Sequence, residues 1–251
     1  MASHLLRQSR PILHSVRSVI PNYKNALSPL TFLKSQPHSI SPISTTPSFK
    51  MADSTPFMSL VASRRTIYNL TNESTIPDAR ITELVHHTIK HVPSAFNSQT
   101  TRAVVVLKEH HQKLWDSIID VYKTMLPEDK FQHAKGRMDG FRAAYGTILF
   151  YEDTTTLHSF QEKYKTYSDR FPGWSEQTNG MHQYVLWCAL EAEGLGVNLQ
   201  HYNPLIDKRI ESEWGVPETW SLKAQMVMGR PVGAAGEKGF GDVGGRVRVF
   251  A

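Results

Sequence analysis

The sequence predicts one domain of α+β or α/β class built on a modest central sheet, and three observations carry that expectation. Apolar residues recur at helical spacing in several long stretches, and these alternate with short runs of strand character. Proline and glycine stand at the junctions, at Pro77, Pro93, Gly194, Gly196, Gly229 and Pro231. Composition also changes sharply near residue 50, which leaves most of the 251 residues for a folded part large enough to bury a core.

Taken in order, Ser54-Thr55 is a capping pair with Pro56 in the first turn, so a short helix is expected through Leu60 and Val61 to Arg64-Arg65. Thr75-Ile76-Pro77-Asp78 opens a second helix. Its Ile81, Leu84, Val85, Thr88, Ile89 and Val92 share helical spacing, and Pro93 cannot continue it without losing a backbone donor. A strand is expected at 102–107. Trp115, Ile118, Ile119, Tyr122, Met125 and Leu126 mark an amphipathic helix. A polar helical connection ending near Arg142 leads to a second strand, Thr147 to Tyr151.

Leu157, Phe160, Tyr164, Tyr167 and Phe171 then form an aromatic stripe at spacings of three and four. After Pro172-Gly173, the helix Met181 to Glu193 is apolar on most of its circumference, which implies burial in a core or in a subunit interface. Gly194-Leu195-Gly196 ends it, and Val197 to Gln200 reads as a third strand. Leu205 to Trp214 is a short helix. A fourth strand, Leu222 to Met228, is terminated by Gly229-Arg230-Pro231. The glycine-rich stretch Gly233 to Gly245 leads to a last short strand, Arg246 to Phe250.

Charge narrows the function. Six of the 28 basic residues and none of the 23 acidic ones fall in residues 1–52, so residues 53–251 hold 22 against 23, a net charge of −1. The folded part has no basic excess to neutralise phosphates, and nucleic-acid binding is not expected. Residues 1–50 read as a disordered targeting extension. Its Arg-rich, Ser-rich, acid-free start, Met1 to Arg7, has the character of a mitochondrial transit peptide. Initiation at Met51 is the alternative and would give a cytoplasmic and nuclear protein. No apolar run is long enough to span a bilayer. Cys188, the only cysteine, excludes an internal disulfide or a cysteine-based metal cluster, and its apolar neighbours suggest a buried structural thiol.

The usual catalytic motifs are absent: no G-x-S-x-G, H-E-x-x-H or P-loop is present. His86-His87 and His110-His111 are adjacent pairs that point to different helix sides, so no metal site is expected. Two features remain. Pro93-Ser94-Ala95-Phe96-Asn97-Ser98-Gln99 can aim a Ser, an Asn and a Gln at one ligand without placing a charge there. Alone, it reads more readily as a loop satisfying the helix end and strand start. Arg64-Arg65-Thr66 can clamp a phosphate, with Lys238, Arg246 and Arg248 as further cations near the C-terminus. Alone, these clusters equally describe a helix end and a solvated surface.

The order of these features, Arg-Arg-Thr-Ile, Pro-Ser-x-x-Asn-x-Gln, Gly-Leu-Gly after the apolar helix, then Gly-x-Pro and Lys238, resembles the FMN-dependent nitroreductase family. Pro93 to Gln99, Asn198 to Pro204 and Gly236-Glu237-Lys238 resemble its fungal and bacterial nitroreductase-like branch, over about residues 55–250. The resemblance implies a nitroreductase-like three-layer α+β domain at 54–251, with a central mixed sheet flanked by helices. It also implies an obligate homodimer with two FMN sites at the interface. Arg64, Arg65, Thr66 and Lys238 would hold the flavin phosphate. Pro93, Ser94, Asn97 and Gln99 would form a wall lent by the partner chain. A backbone N–H near His201 or Tyr202 would face flavin N5.

Two positions depart from the pattern: Tyr68 stands where a basic residue near flavin N1 and O2 is usual, and Phe240 where a second C-terminal cation is usual, with Arg246 the candidate to compensate. The implied activity is ping-pong transfer from NADH or NADPH through flavin N5 to a nitroaromatic, quinone or similar planar acceptor, with a place in the oxidative stress response. No catalytic side chain is needed, because the chemistry is the cofactor's, and Phe160, Tyr164, Tyr167 and Phe171 would line or cover the acceptor pocket. The other reading is a flavin-binding regulatory protein in redox or lipid-stress signalling whose turnover is incidental.

Overall fold

The computed structural model describes residues 53–251. The targeting extension and the alternative start at Met51 lie outside them. In chain order the elements are α1 (Thr55–Ser63), β1 (Leu70–Thr71), α2 (Asp78–His91), β2 (Thr101–Leu107), α3 (Lys108–Met125), α4 (Glu128–Arg142), β3 (Gly146–Asp153), α5 (Thr154–Lys163), α6 (Phe171–Ala192), β4 (Gly196–Gln200), α7 (Asp207–Trp214) and β5 (Trp220–Pro231).

The sheet runs β1-β5-β3-β2, and β4 also pairs with β5. All four strand pairings are antiparallel. The mixed sheet expected above is reduced to one parallel bridge, Thr66 with Val197. Strand β3 lies at the centre and is buried on both faces. Its Leu149 and Tyr151 join a core with Leu114, Trp115 and Ile118 of α3, while Ile148 and Phe150 join a second core with Ile81 of α2 and Leu186 and Leu190 of α6. This alternation follows from the two-residue period of a strand, and it makes three layers, helix on sheet on helix.

Several boundaries differ from expectation for local physical reasons. Helix α6 begins at Phe171, ten residues before the expected Met181, because Pro172 occupies the first turn, where its fixed φ starts a helix instead of stopping one. Strand β5 continues through Gly229-Arg230-Pro231 to pair Thr71 with Arg230 and Leu70 with Pro231. A side chain at Gly229 would collide with the Thr71 carbonyl, so glycine here permits a close approach. The strand β1 was not expected at all; two residues carry too little periodicity. The expected strand 246–250 does not form. Gly244–Arg246 is a 3-10 turn, and Val247, Val249 and Phe250 are exposed.

Candidate functional site

After α1, the chain lies along β4. Thr66 bridges Val197, the Ile67 N–H donates to the Val197 carbonyl at 2.9 Å, and Asn198 Nδ2 donates to the Ile67 carbonyl at 2.9 Å. Gly196 makes this possible: a Cβ there would stand 2.6 Å from Leu70 Cδ2 and 3.1 Å from Ile67 Cγ2. The Arg65 N–H donates to Glu191 Oε2 at 2.8 Å, and the other carboxylate oxygen accepts from Trp187 Nε1 at 2.8 Å. Arg64 lies over the Trp187 ring, its guanidinium carbon 4.6 Å from the centroid.

The C-terminal stretch returns to this point. The Arg65 guanidinium bonds the Gly236 carbonyl, and Lys238 Nζ donates to the Ala62 carbonyl at 3.3 Å. Arg64, Arg65 and Lys238, far apart in sequence, are therefore gathered at the end of α1. Of the three, Arg65 borders a cleft of 430 Å³ whose walls also include Glu191, Gly194 and Gly196. Burial raises the Glu191 carboxyl above its ordinary range, against the pull of the Arg65 amide, the Trp187 indole and the two guanidinium groups. Two guanidinium groups act on this one carboxylate. Arg246 is not part of the group: its guanidinium bonds the carbonyls of Asp242 and Gly241 and closes its own turn.

The loop at 93–99 is strained. Phe96, Asn97 and Gln99 have φ of 54°, 55° and 49°, a region that costs a residue with a side chain on the order of 1 kcal/mol or more. Three internal bonds support it: Asn97 N–H to the Ser94 carbonyl (2.9 Å), Ser98 N–H to the Ala95 carbonyl (3.1 Å) and Gln99 N–H to Ser94 Oγ (2.9 Å). Arg102, paired with Asp153 at 2.8 Å, donates to the Gln99 carbonyl at 2.6 Å. The Phe96 ring is held by Tyr164, Phe171, Tyr167 and Trp174, with centroids 4.7, 5.6, 5.8 and 5.8 Å away.

The aromatic stripe thus has a definite target, the loop itself. Phe160 joins through Tyr164 and Phe171 at 6.0 and 5.9 Å. Phe171 is 1 % exposed and cannot touch an acceptor, which corrects its expected place in the acceptor pocket, whereas Tyr167 and Phe96 keep about half their surface open. The Asn97 side chain is exposed and bonds to none of the described residues.

Of the two residues expected to offer an N–H to flavin N5, Tyr202 is excluded. Its N–H donates to Gln225 Oε1 at 2.6 Å, and its ring packs edge-on against Trp115 at 5.3 Å. His201 remains. Gln225, fully buried, also donates to Asn203 Oδ1 at 3.2 Å and so holds the 201–203 turn. Sequence reasoning missed Gln225, Asn198 and Glu191. The first was visible as a lone amide inside the apolar run Ala224 to Met228, and Asn198 as a polar residue beside Val197 and Leu199. Glu191 carried no such mark.

The two candidate clusters lie at opposite ends of α6. Phe96 packs on Phe171 and Trp174, while Arg64 packs on Trp187, 13 residues beyond Trp174, or about 20 Å at 1.5 Å per residue. Between them α6 turns an open apolar face outward, with Met181, Tyr184 and Val185 37–41 % exposed and His87, His91 and Pro93 of α2 and its loop beside them. The inward face carries Leu186 and Leu190, fully buried. No helix among the described residues is long and apolar enough to cross a membrane.

This arrangement has counterparts among known proteins. HBN1 of Saccharomyces cerevisiae is 36% identical over 186 residues, 72% of this chain and 91% of HBN1. The nitroreductase CinD from Lactococcus lactis, solved with nicotinic acid, superposes with a TM-score of 0.72 at 39% identity, over 78% of this chain and all of CinD. CinD has also been solved with 4-nitrophenol. A nitroreductase with bound FMN from Desulfitobacterium hafniense shares the fold alone, at 15% identity and a TM-score of 0.57, over 80% of this chain and all of that one. The nitroreductase family model matches residues 61–230, a stretch that runs from within α1 into β5 and takes in the Arg64–Thr66 segment and the strained loop. By this match, and by the identity it shares with HBN1, the chain belongs to the nitroreductase family.

Proposed function

We propose that this chain is an FMN-dependent NAD(P)H oxidoreductase of the nitroreductase type, acting as a homodimer on nitroaromatic, quinone or similar planar acceptors. The observation that carries the reading is the gathering of Arg64, Arg65 and Lys238 at the end of α1. Three cations gathered there suit a phosphate dianion, and guanidinium forks suit its oxygens. FMN bound there would supply the redox chemistry, taking a hydride from NADH or NADPH and passing the electrons to the acceptor.

The chain's own residues have narrower tasks. Arg64, Arg65, Thr66 and Lys238 anchor the phosphate, and the buried amide of Asn198 keeps their segment on β4. The His201 N–H is the donor offered toward N5. Pro93, Ser94, Asn97 and Gln99 form a neutral wall that the aromatic cluster keeps in its strained shape. That wall stands about 20 Å along α6 from the Arg64 site, which supports the wall serving a partner's flavin. The open face at Met181, Tyr184 and Val185, with the exposed Phe57 and Met58 of α1, supports the same homodimer. Tyr167 and Tyr164, around the exposed ring of Phe96, and Phe160 beside Tyr164 are the acceptor side of the wall. CinD's complexes with nicotinic acid and 4-nitrophenol support planar aromatic ligands.

Purified protein tests the reading. Yellow protein that NADH or NADPH bleaches, and that a nitro compound or quinone reoxidises at ~1 per second or faster, supports the enzyme. Yellow protein that neither nucleotide bleaches supports a flavin-binding regulatory role instead. Colourless protein that cannot be loaded with FMN defeats both. The mitochondrial destination and the oxidative stress role rest on the composition of residues 1–50 and on the proposed chemistry. An intact Met1 on the mature protein, read by mass spectrometry, would defeat the transit peptide.

A further inference from the structure

A further cleft lies between the segment that leaves α1 and helix α4, and it has had no task so far. Tyr68 and Asn69 form one wall, and Gly136, Arg137, Gly140 and Phe141 of α4 form the other, around 310 Å³. That volume is at the low end for small-molecule pockets and suits one substituted ring.

Gly136 and Gly140 are four residues apart within α4, so they stand one above the other on the same helix face. A Cβ at either would meet nothing within 4 Å. Packing of the chain therefore does not call for glycine at these positions, and glycine weakens a helix. Their effect is to leave a flat strip of bare backbone across the cleft from Tyr68. The Tyr68 ring is 54% exposed, and the buried Phe141 ring lies 6.4 Å from it between centroids. The result is a slot with aromatic surface on one side and backbone on the other.

Arg137 is the charge in that slot. On the same helix Lys135 pairs with Asp139 and Arg142 with Asp116, but Arg137 has no ion pair or hydrogen bond among the described residues. None of the described residues that line the cleft is acidic. A guanidinium fork matches a carboxylate through two parallel bonds. A single cation suits a monoanion, whereas the gathering of Arg64, Arg65 and Lys238 suits a dianion.

We propose that this cleft binds a planar aromatic carboxylate, its ring between Tyr68 and the glycine strip and its carboxylate on the Arg137 guanidinium, with the Asn69 amide beside it. The inference stands apart from the FMN reading, since every contact it invokes belongs to Tyr68, Asn69 and α4.

Calorimetric titration of the protein as purified, with whatever flavin it carries, tests this. The probe is 4-nitrobenzoate, with nitrobenzene as the ring without the acid and cyclohexanecarboxylate as the acid without the flat ring. The first is expected to bind about tenfold tighter than either of the others, and less tightly as salt is raised. Arg137→Gln should weaken 4-nitrobenzoate binding about tenfold and change nitrobenzene binding by less than about threefold, and Arg137→Lys, which keeps the charge without the fork, should fall between. Gly140→Leu is the sharper variant. It should raise Tm, because the helix loses a glycine and the new Cβ displaces nothing, and yet weaken 4-nitrobenzoate binding about tenfold by filling the slot. Opposite signs on stability and affinity are not what a purely structural glycine gives, and this variant carries the test alone if Arg137→Gln fails to fold.

No measurable binding of 4-nitrobenzoate, or an affinity unchanged in Arg137→Gln and Gly140→Leu, would overturn the proposal. So would displacement by an equal concentration of inorganic phosphate, which would make Arg137 a phosphate contact. Binding confined to flavin-free protein would give the cleft to the flavin and overturn it as well. Protein that cannot be loaded with FMN but binds 4-nitrobenzoate through Arg137 would defeat the FMN reading and support this one, so the two fail separately.

Discussion

The Arg64–Thr66 segment and the 94–99 loop are both short, irregular and adjacent to α6, yet they are held by opposite means. The first is fastened by polar groups: a β bridge, the buried amide of Asn198 and the carboxylate of Glu191. The second is bent into left-handed φ at three residues that are not glycine, and is held chiefly by aromatic rings around Phe96. A segment that must present cations is built on hydrogen bonds whose directions are set, whereas a neutral wall can be shaped by packing alone. The contrast makes each region fail differently.

The largest effect is expected at the centre of the aromatic cluster. Phe171→Ala removes a buried ring that touches Phe96, Phe160, Tyr164 and Trp174, and should cost about 3–5 kcal/mol in urea unfolding. A cost under ~1 kcal/mol would mean that the loop holds its shape without the rings.

Acid should come next, and it separates the regions by sign. His111, buried between Thr147 and the Phe141 carbonyl, has its pKa pushed down to about 4 by desolvation. Its folded pKa lies below the unfolded value near 6.5, so stability is complete above pH 6.5 and falls as the unfolded state takes up the proton. The loss amounts to about 3 kcal/mol by pH 4. Within that background, Asp153 beneath the loop is raised by burial but held low overall by bonds from Thr156 and by Arg102, so its support for the loop disappears as pH falls through its depressed pKa. Glu191 is raised, so its contribution is present in acid and is lost as pH rises through its folded pKa. Proteolysis of the two segments across pH should therefore show the loop loosening toward acid and the Arg64–Thr66 segment tightening. The same trend in both would break the comparison.

Asn198→Ala should cost about 1–3 kcal/mol, because it leaves the Ile67 carbonyl without its partner, and it should loosen the cations without disturbing Phe96. The smallest effect tests the strain. Asn97→Gly, at φ of 55°, should be neutral or stabilising by ~0.5 kcal/mol, whereas Asn97→Ala should lose about as much and also weaken FMN retention. Equal destabilisation by both would mean that the Asn97 side chain supports the loop in some other way.

Much of this was legible in the sequence. Pro77 and Pro93 bracket α2 as expected, since a missing N–H and a fixed φ act on immediate neighbours. The residues Arg64-Arg65-Thr66, Ser94-x-x-Asn97 and Lys238 were found by type and order, and the fold brings Lys238 to the end of α1. The failures share a cause. The aromatic stripe was visible, but its partner Phe96 lies some 65 to 75 residues earlier, and no local period points to it. Arg246 resembled Lys238 in type and differed only in where its turn closed. Tyr202 resembled His201 until Gln225, more than twenty residues later, took its N–H.

By itself, then, the sequence determined which segments would be helix or strand, because periodicity and the stereochemistry of proline and glycine act over a few residues. It also determined which side chains could meet a phosphate or an uncharged ring. The tertiary structure alone decided which of them meet. Sheet pairing lays the segment after Thr66 on β4 and α6 sets the loop and the cations about 20 Å apart. Such contacts depend on free energies of burial and pairing summed over residues distant in the chain, and no short stretch contains them.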